Sequence, residues 1–233
     1  MMQTSPVSFI SAGARPIRLE GMLHRAEGEG QHPAAVICHP HPLGGGSIHN
    51  GVVRAIARTL VSSGVVALRF NFRGVGASEG TFDNGVGERD DVAGALDWLL
   101  AQPTVDPRRV SVVGYSFGAC VGLVCAQSDA RVSAYAGVGL SMAFCDSGDL
   151  QSLMKDGEDA PSPGYGSLAC PKLFITGEYD HLAPPDQLLG LVERLPDPKS
   201  VQIVPGAGHF WRGAEREVAQ WIADFLTGLW VNR

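Results

Sequence analysis

The sequence has 233 residues, of which 45% are hydrophobic and 18% charged, and its formal net charge is −6. This length and composition fit a single α/β domain with a sizeable apolar core. The acidic balance and the lack of a basic run disfavour nucleic acids and anionic membranes as partners, and no apolar run reaches the ~18 residues of a membrane span.

The cysteines and the first residues of the chain bear on its compartment. Five cysteines are present, an odd number, without CxxC or Cys/His metal-ligand spacing. They predict buried, reduced thiols and no metal site. Segment 1–16 has neither the basic start nor the apolar stretch of a signal peptide. These features predict a cytoplasmic protein.

Predicted strands and helices alternate along the chain after an initial hairpin. The strands are short runs rich in apolar residues, at 7–11, 17–24, 34–38, 65–72, 110–114, 134–140, 172–176 and 200–204. The helices show apolar residues at helical spacing, at 50–63, 86–101, directly after 118, 185–195 and 212–229. Alternation of this kind predicts an α/β fold with a doubly wound, mostly parallel sheet and helices on both faces.

The domain prediction is a single unit over 1–233. Segment 141–170 is rich in Gly, Ser, Asp and Pro and has little helical pattern, so it predicts a short, cap-like insertion. No GxGxxG opens a helix after a first strand and no GxxxxGK[ST] is present. The sequence therefore predicts no nucleotide or other cofactor.

Residues 110–120, VSVVGYSFGAC, predict a strand that turns sharply into a helix. At such a turn Ser116 occupies the strained apex, where its hydroxyl lies over the positive end of the following helix. Gly114 and Gly118 flank it because a Cβ at either position would collide where strand and helix nearly touch. The pattern is GxSxG, and it predicts Ser116 as a nucleophile.

A second GxSxG match occurs at 76–80, GASEG. It does not directly follow its strand, and the loop sequence TFDNG follows it rather than a helix. Because the motif predicts a nucleophile only within a strand–turn–helix unit, Ser78 is predicted to be a turn residue.

A serine nucleophile needs a base and a carboxylate that orients it, and both are expected beyond the carboxyl ends of strands. Asp180 follows the strand 172–176 and His209 follows the strand 200–204. The chain order Ser116, Asp180, His209 is that of α/β-hydrolases. Glu178 and Asp146 are the alternative acids.

Two backbone N–H groups are also needed to stabilise the oxyanion. The first is predicted to be that of Phe117, directly after the nucleophile. The second is expected in the loop HPHPLGGG at 39–46, where Leu43 is the predicted donor and Pro42 has no N–H. His39 and His41 have no acidic residue near them in sequence, and Cys38 does not stand at a metal-ligand spacing from them. Loop-shaping roles are therefore favoured over metal binding.

These residues resemble a known family. GYSFG, GEYD and GAGHF look like the elbow, acid and histidine motifs of the α/β-hydrolase superfamily. CHPHPLGGG together with RFNFRGVGASEG looks like the small bacterial dienelactone-hydrolase-like and esterase-like members, over roughly 17–229. The resemblance implies the triad Ser116, Asp180 and His209 and the oxyanion donors Leu43 and Phe117. Dienelactone hydrolases carry a cysteine at the elbow, so Ser116 favours general carboxyl-ester chemistry.

The predicted function is therefore a serine hydrolase of small, short-acyl carboxylic esters, acting without a metal or cofactor as a monomer or homodimer. The residues named as possible pocket linings are Leu43, Phe72, Met142, Phe144 and Phe210. A thioesterase, amidase or peptidase with the same triad is one alternative, because fold and triad do not set the leaving group. A non-catalytic binding protein on a hydrolase scaffold is the other.

Overall fold

The computed structural model describes residues 3–141 and 168–230. Within these ranges eight strands form one sheet in the order β1-β2-β4-β3-β5-β6-β7-β8. The strands are β1 Gln3–Ile10, β2 Arg18–Arg25, β3 His32–Cys38, β4 Val66–Phe70, β5 Val105–Tyr115, β6 Ala134–Val138, β7 Lys172–Gly177 and β8 Lys199–Val204. The α-helices in the same ranges are α1 Gly51–Ser62, α2 Gly87–Leu100, α3 Phe117–Ser128, α4 Pro185–Arg194 and α5 Glu215–Trp230.

The sheet is antiparallel at one edge and parallel elsewhere. β1 and β2 form the predicted hairpin, and β2 also pairs antiparallel with β4. From β4 through β3, β5, β6 and β7 to β8 every pairing is parallel. β1 begins earlier than the sequence pattern predicts and contains Pro6, which an edge strand tolerates because one side of its backbone needs no partner.

Helices cover both faces of the sheet, so each face has its own apolar core. On one face the sheet packs against α2, α3 and α4, with Phe70, Phe117 and Phe174 in the contact. On the other it packs against α1 and α5, with Ile56 and Ile222 among the buried residues. The central parallel strands are buried on both faces, which explains their continuous apolar sequences.

The observed elements agree with the predicted ones to within a few residues. α1 begins after Asn50, whose side-chain oxygen accepts hydrogen bonds from the N–H groups of Val52 (3.0 Å) and Val53 (3.4 Å). β5 begins at Val105, earlier than predicted, because Asp106 and Pro107 extend the strand rather than precede it. The predicted cap-like insertion lies almost wholly outside the described residues.

One prediction about the cysteines is wrong. Cys38, Cys125 and Cys170 are free thiols, as expected, but Cys120 is disulfide-bonded. An odd number of cysteines at irregular spacing gave no sign of a pair, because pairing depends on positions that only the fold brings together. None of the helices in the described ranges is long and apolar enough to cross a bilayer.

Candidate active site

Ser116 lies at the sharp turn between β5 and α3. Its backbone has φ 56° and ψ −120°, a region that costs a residue with a Cβ about 1–3 kcal/mol. A Cβ on Gly114 would come within 2.2 Å of the Gly118 carbonyl oxygen, and one on Gly118 within 2.5 Å of the Cys38 carbonyl oxygen. The two glycines therefore let β5, α3 and the end of β3 meet closely, which fixes the strained apex.

Three polar side chains form a continuous hydrogen-bonded chain at this apex. His209 Nε2 lies 2.9 Å from Ser116 Oγ, and His209 Nδ1 lies 2.9 Å from both carboxylate oxygens of Asp180. Since an ionised carboxylate only accepts, the network assigns the ring proton to Nδ1 and leaves Nε2 as acceptor for the serine hydroxyl. All three residues are buried.

The loop after β7 holds the carboxylate of Asp180. Asp180 Oδ1 accepts hydrogen bonds from the backbone N–H groups of Leu182 (3.0 Å) and Ala183 (2.8 Å). The carbonyl of Ala183 in turn accepts from the hydroxyl of Thr176 at the end of β7 (2.7 Å). These bonds orient the carboxylate before any substrate is present.

The loop after β8 holds His209. The hydroxyl of Tyr115, the residue before the apex serine, donates to the backbone carbonyl of His209 at 2.7 Å. Two residues beyond, Trp211 is buried in the core shared with α5 and anchors the loop. A Cβ on Gly139, at the end of β6, would lie 3.2 Å from the His209 ring and 3.3 Å from Asp180 Oδ2. Gly139 thus leaves room for the pair.

Sequence reasoning missed the roles of Tyr115 and Gly139. Tyr115 occupies a variable position of GxSxG, and Gly139 looks like any glycine after a strand. Neither carries a local pattern, because each acts on a residue far away in the chain. The only available signal is that both directly follow or end neighbouring strands of the sheet.

The loop after β3 is shaped by its two histidines. His39 is fully buried, donates from Nδ1 to the Pro40 carbonyl (2.6 Å) and accepts at Nε2 from the Phe72 N–H (3.1 Å). Burial lowers the pKa of His39 to about 4, so the ring is neutral. His41 lies against Phe117, with ring centroids 5.2 Å apart. The loop-shaping hypothesis for both histidines fits these contacts.

The two predicted oxyanion donors differ in their surroundings. The N–H of Phe117 is at the first position of α3 and has no acceptor among the described residues. The N–H of Leu43 instead donates to His41 Nδ1 (3.2 Å) within the short 3-10 turn Pro42–Gly44. Leu43 can serve as the second donor only if that bond breaks, because a single N–H cannot point at both acceptors.

The loop before α2 packs against the ring of Phe117, and buried Glu88 holds that loop in place. Glu88 accepts from the N–H groups of Asp83 (2.9 Å) and Gly85 (2.8 Å), which fixes the loop before α2. Phe82 in this loop packs on Phe117 with ring centroids 5.6 Å apart. The loop sequence therefore positions the residue that follows the apex serine.

Neither alternative acid is placed beside His209 by the described residues. Glu178 is exposed and accepts from the Gly206 N–H (2.9 Å) instead of reaching His209, whereas Asp146 lies outside the described residues.

Among the residues predicted as possible pocket linings, Phe72 is fully buried in the core, so it does not line an open pocket. Leu43 and Phe210 are 76% and 68% exposed, and Met142 and Phe144 are not in the described ranges. In those ranges no group of three or more His, Cys, Asp or Glu is arranged to hold a metal ion.

The strand order, the elbow and the hydrogen-bonded serine, histidine and aspartate define the class of α/β serine hydrolases. Within it, the chain belongs to the X-Pro dipeptidyl-peptidase (S15) family, whose model matches residues 17–147. The narrower likeness to dienelactone hydrolases stays a prediction.

Individual relatives and solved structures are similar to this chain over most of its length. The uncharacterized protein RP471 of Rickettsia prowazekii is 33% identical over 220 residues, which cover 92% of this chain and 87% of that protein. An α/β serine hydrolase homologue from Coxiella burnetii is 31% identical, with a TM-score of 0.75, and the match covers 94% of this chain and 97% of that one. XC6422 from Xanthomonas campestris, described as an α/β serine hydrolase without lid, is 26% identical with a TM-score of 0.75 and coverages of 98% and 95%.

Proposed function

We propose that this protein hydrolyses small carboxylic esters through an acyl-enzyme on Ser116. The observation that carries the proposal is the unbroken chain of 2.9 Å contacts from Ser116 Oγ through His209 to Asp180, set at a strained elbow. A serine hydroxyl is a poor nucleophile near neutral pH unless a positioned base takes its proton. These three residues supply the nucleophile, the base and the carboxylate that orients it.

In the first half-reaction Ser116 Oγ attacks the ester carbonyl while its proton moves to His209 Nε2. The Asp180 carboxylate stabilises the imidazolium that forms. His209 then gives the proton to the leaving alcohol as the tetrahedral intermediate collapses, and the acyl group stays on Ser116. In the second half-reaction a water molecule loses a proton to His209 and attacks the acyl-enzyme, which releases the acid and restores the serine hydroxyl.

The oxyanion of each tetrahedral intermediate is assigned to the N–H groups of Phe117 and Leu43. Phe117 lies at the start of α3, where the helix dipole also favours negative charge. Leu43 must first give up its bond to His41 Nδ1. In this proposal substrate binding therefore includes a rotation of the His41 ring, and the second donor is completed only when an ester is bound.

The preference for short acyl groups rests on two features. XC6422, a relative matched over almost the whole chain, is described as having no lid. In this chain the apolar side chains of Leu43 and Phe210, on the loops that carry the oxyanion donor and the histidine, are exposed rather than folded into a deep pocket. A shallow apolar surface suits acetyl or butyryl groups better than long chains.

The test is hydrolysis of p-nitrophenyl esters from acetate to palmitate by the wild type, Ser116→Ala and Ser78→Ala. We expect turnover to fall with chain length, to disappear in Ser116→Ala and to persist in Ser78→Ala. Labelling by a fluorophosphonate should follow the same pattern. Faster turnover of palmitate than of acetate would contradict the short-acyl preference, and labelling of Ser116→Ala would contradict the nucleophile assignment.

A peptidase is the second candidate, because the family model that matches residues 17–147 is named for an X-Pro dipeptidyl-peptidase. An Ala-Pro p-nitroanilide separates the two functions, since its scissile bond is an amide following proline. Cleavage of this anilide with kcat/KM above that of p-nitrophenyl acetate would replace the ester proposal. A thioester panel tests the thioesterase reading in the same way, and absence of both turnover and fluorophosphonate labelling would favour a binding protein.

We further propose that the protein acts on a small molecule in the cytoplasm, without a cofactor, nucleic acid or membrane partner, as a monomer or homodimer. The acidic net charge of −6 supports the exclusion of polyanions as general partners. Sedimentation of the purified protein would decide between the two oligomeric states.

A further inference from the structure

A cavity lies on the surface between α1 and α5, and it contains none of the candidate catalytic residues. Its volume is about 540 Å³, within the ~300–1,000 Å³ range of small-molecule sites. Arg54, Arg58 and Ser62 face it from α1, each one helical turn from the next, and Arg216 and Gln220 face it from α5. The two packed helices thus turn three guanidinium groups toward one space.

The charges of this cavity are all of one sign. The guanidinium groups of Arg54, Arg58 and Arg216 have no ion pair or hydrogen bond with the described residues, and no carboxylate lines the cavity. Elsewhere on the surface arginines do find acids, as Arg18 does with Glu79 and Arg131 with Asp97. The whole chain has a net charge of −6, so this cluster of unpaired arginines is opposite in sign to the overall charge of the protein.

A fourth arginine, Arg69, adds to the positive potential around Arg54 and Arg58. Arg69 on β4 is buried, and it donates to His24 Nε2 (2.8 Å) and to the Ile48 carbonyl. Burial lowers the pKa of Arg69, and the charges of Arg54 and Arg58 lower it further. Arg54 and Arg58 also repel each other, because like charges one turn apart destabilise a helix. A bound anion would offset these repulsions.

We propose that this cavity binds the phosphate group of a small, soluble phosphorylated ligand. Guanidinium groups are planar forks that match phosphate oxygens in a bidentate manner, and such charge-assisted bonds are stronger than neutral ones. The hydroxyls of Thr59 and Ser62 line the same space and add neutral donors. The site is separate from Ser116 and does not depend on the ester chemistry proposed above.

The test is calorimetric titration of the full chain with inorganic pyrophosphate, at an ionic strength held constant with sodium chloride. We expect saturable binding of one pyrophosphate, with Kd raised about tenfold or more in Arg58→Gln and in Arg216→Gln. Arg15→Gln is the matched control, because Arg15 is an exposed arginine outside the cavity, and its Kd should equal that of the wild type. Equal circular dichroism spectra and equal ester turnover establish that the variants are folded.

Two outcomes would overturn the proposal. One is the absence of binding beyond the heat of salt dilution, and the other is an equal loss of binding in Arg15→Gln. Pelleting with vesicles of phosphatidylglycerol and phosphatidylcholine separates the two sources of phosphate. No pelleting supports a soluble ligand, whereas pelleting that Arg58→Gln abolishes, in a protein that ignores pyrophosphate, would replace the soluble ligand by a lipid headgroup.

Discussion

The chain carries the GxSxG pattern twice, and the two copies behave very differently. Ser116 sits at φ 56° between a strand and a helix, with its hydroxyl 2.9 Å from a histidine nitrogen. Ser78 sits in a loop, where its hydroxyl donates to the Asn71 carbonyl (2.7 Å) and accepts from the Glu20 N–H (3.1 Å). The backbone turn positions Ser116 so that its hydroxyl faces a base. The hydroxyl of Ser78 instead links two backbone segments.

The glycines explain why one pattern gives two outcomes. At Gly114 a Cβ would collide with backbone atoms of the neighbouring turn, so that glycine allows a close approach of main chains. Gly76 and Gly80 instead have φ of +59° and +80°, so they allow a loop to reverse direction. The pattern therefore specifies a nucleophile only when both glycines serve close approach rather than turning.

The largest expected effect is the difference in kcat between variants of the two serines. Ser116→Ala should lower kcat on p-nitrophenyl acetate by about 10⁴-fold or more, because no nucleophile remains. Ser78→Ala should keep wild-type kcat, because its hydroxyl contacts only backbone groups of β2 and the segment after β4. Steady-state kinetics of both variants measures the difference. Comparable losses in the two variants would break the comparison.

A smaller loss is expected when the carboxylate behind the base is changed. Asp180→Asn should lower kcat by about 10²- to 10⁴-fold, because the amide no longer holds the ring proton on His209 Nδ1. Glu178→Gln is the control, since Glu178 faces the Gly206 N–H and not the histidine. A normal kcat for Asp180→Asn would contradict the role of Asp180 in supporting His209. The hydrogen-bonded histidine would then no longer separate Ser116 from Ser78.

The buried ring of His39 should make the stability of the protein depend on pH. The pKa of His39 is about 4 in the folded protein, against 6.5 for an exposed histidine such as that of the unfolded chain. The unfolded chain therefore binds more protons between these two pH values. This stability is fully present above pH 6.5 and is lost as pH falls toward 4. The slope contributed by His39 is at most about 1.4 kcal/mol per pH unit.

Urea unfolding of His39→Gln between pH 7 and 4.5 measures that slope. We expect a shallower pH dependence than in the wild type but not a flat one, because burial and the charge of Arg69 also lower the pKa of His24 to about 4. His49→Gln, at an exposed position, is measured beside it as the matched substitution. An unchanged slope in His39→Gln would show that this histidine does not titrate in the window.

The structural role of the second serine predicts a modest loss of stability. Ser78→Ala should lower the free energy of unfolding by about 1–2 kcal/mol, because the Asn71 carbonyl and the Glu20 N–H both lose a partner in a buried place. Urea unfolding at pH 7.5 is the measurement. A neutral result would mean that water or a neighbouring group replaces the hydroxyl.

The smallest expected effect concerns the residue that precedes each serine. Tyr115→Phe removes the hydroxyl that donates to the His209 carbonyl and should lower kcat about tenfold or less, because the base is then held less firmly. Tyr179→Phe, at an exposed position on the acid loop, should match the wild type. The second motif has Ala77 at the equivalent place and offers no such link.

Much of this architecture could be predicted because its signals are local. Continuous apolar runs identified the parallel strands, and Asn50 together with the spacing of Val53, Ile56 and Leu60 identified α1. The elbow could be recognised because strand, glycine and helix follow one another within residues 110–120. Asp180 and His209 could be chosen because parallel strands bring their carboxyl ends to one edge.

What could not be predicted depends on contacts between distant segments. The bond from Leu43 N–H to the His41 ring, the bond from Tyr115 to the His209 carbonyl and the disulfide at Cys120 leave no periodic trace. The cavity between α1 and α5 is a similar case. Arg54 and Arg58 look like an ordinary solvated helix face until α5 adds Arg216.

The way the sheet assembles the serine, histidine and aspartate has a practical consequence. Ser116 follows β5, Asp180 follows β7 and His209 follows β8, with β6 lying between β5 and β7. The three groups meet only when these four strands are all in register. On the proposed mechanism, the fraction of a preparation that reacts with a fluorophosphonate counts correctly assembled molecules. Active-site titration would thus grade the quality of a sample in a way that its helix and strand content cannot.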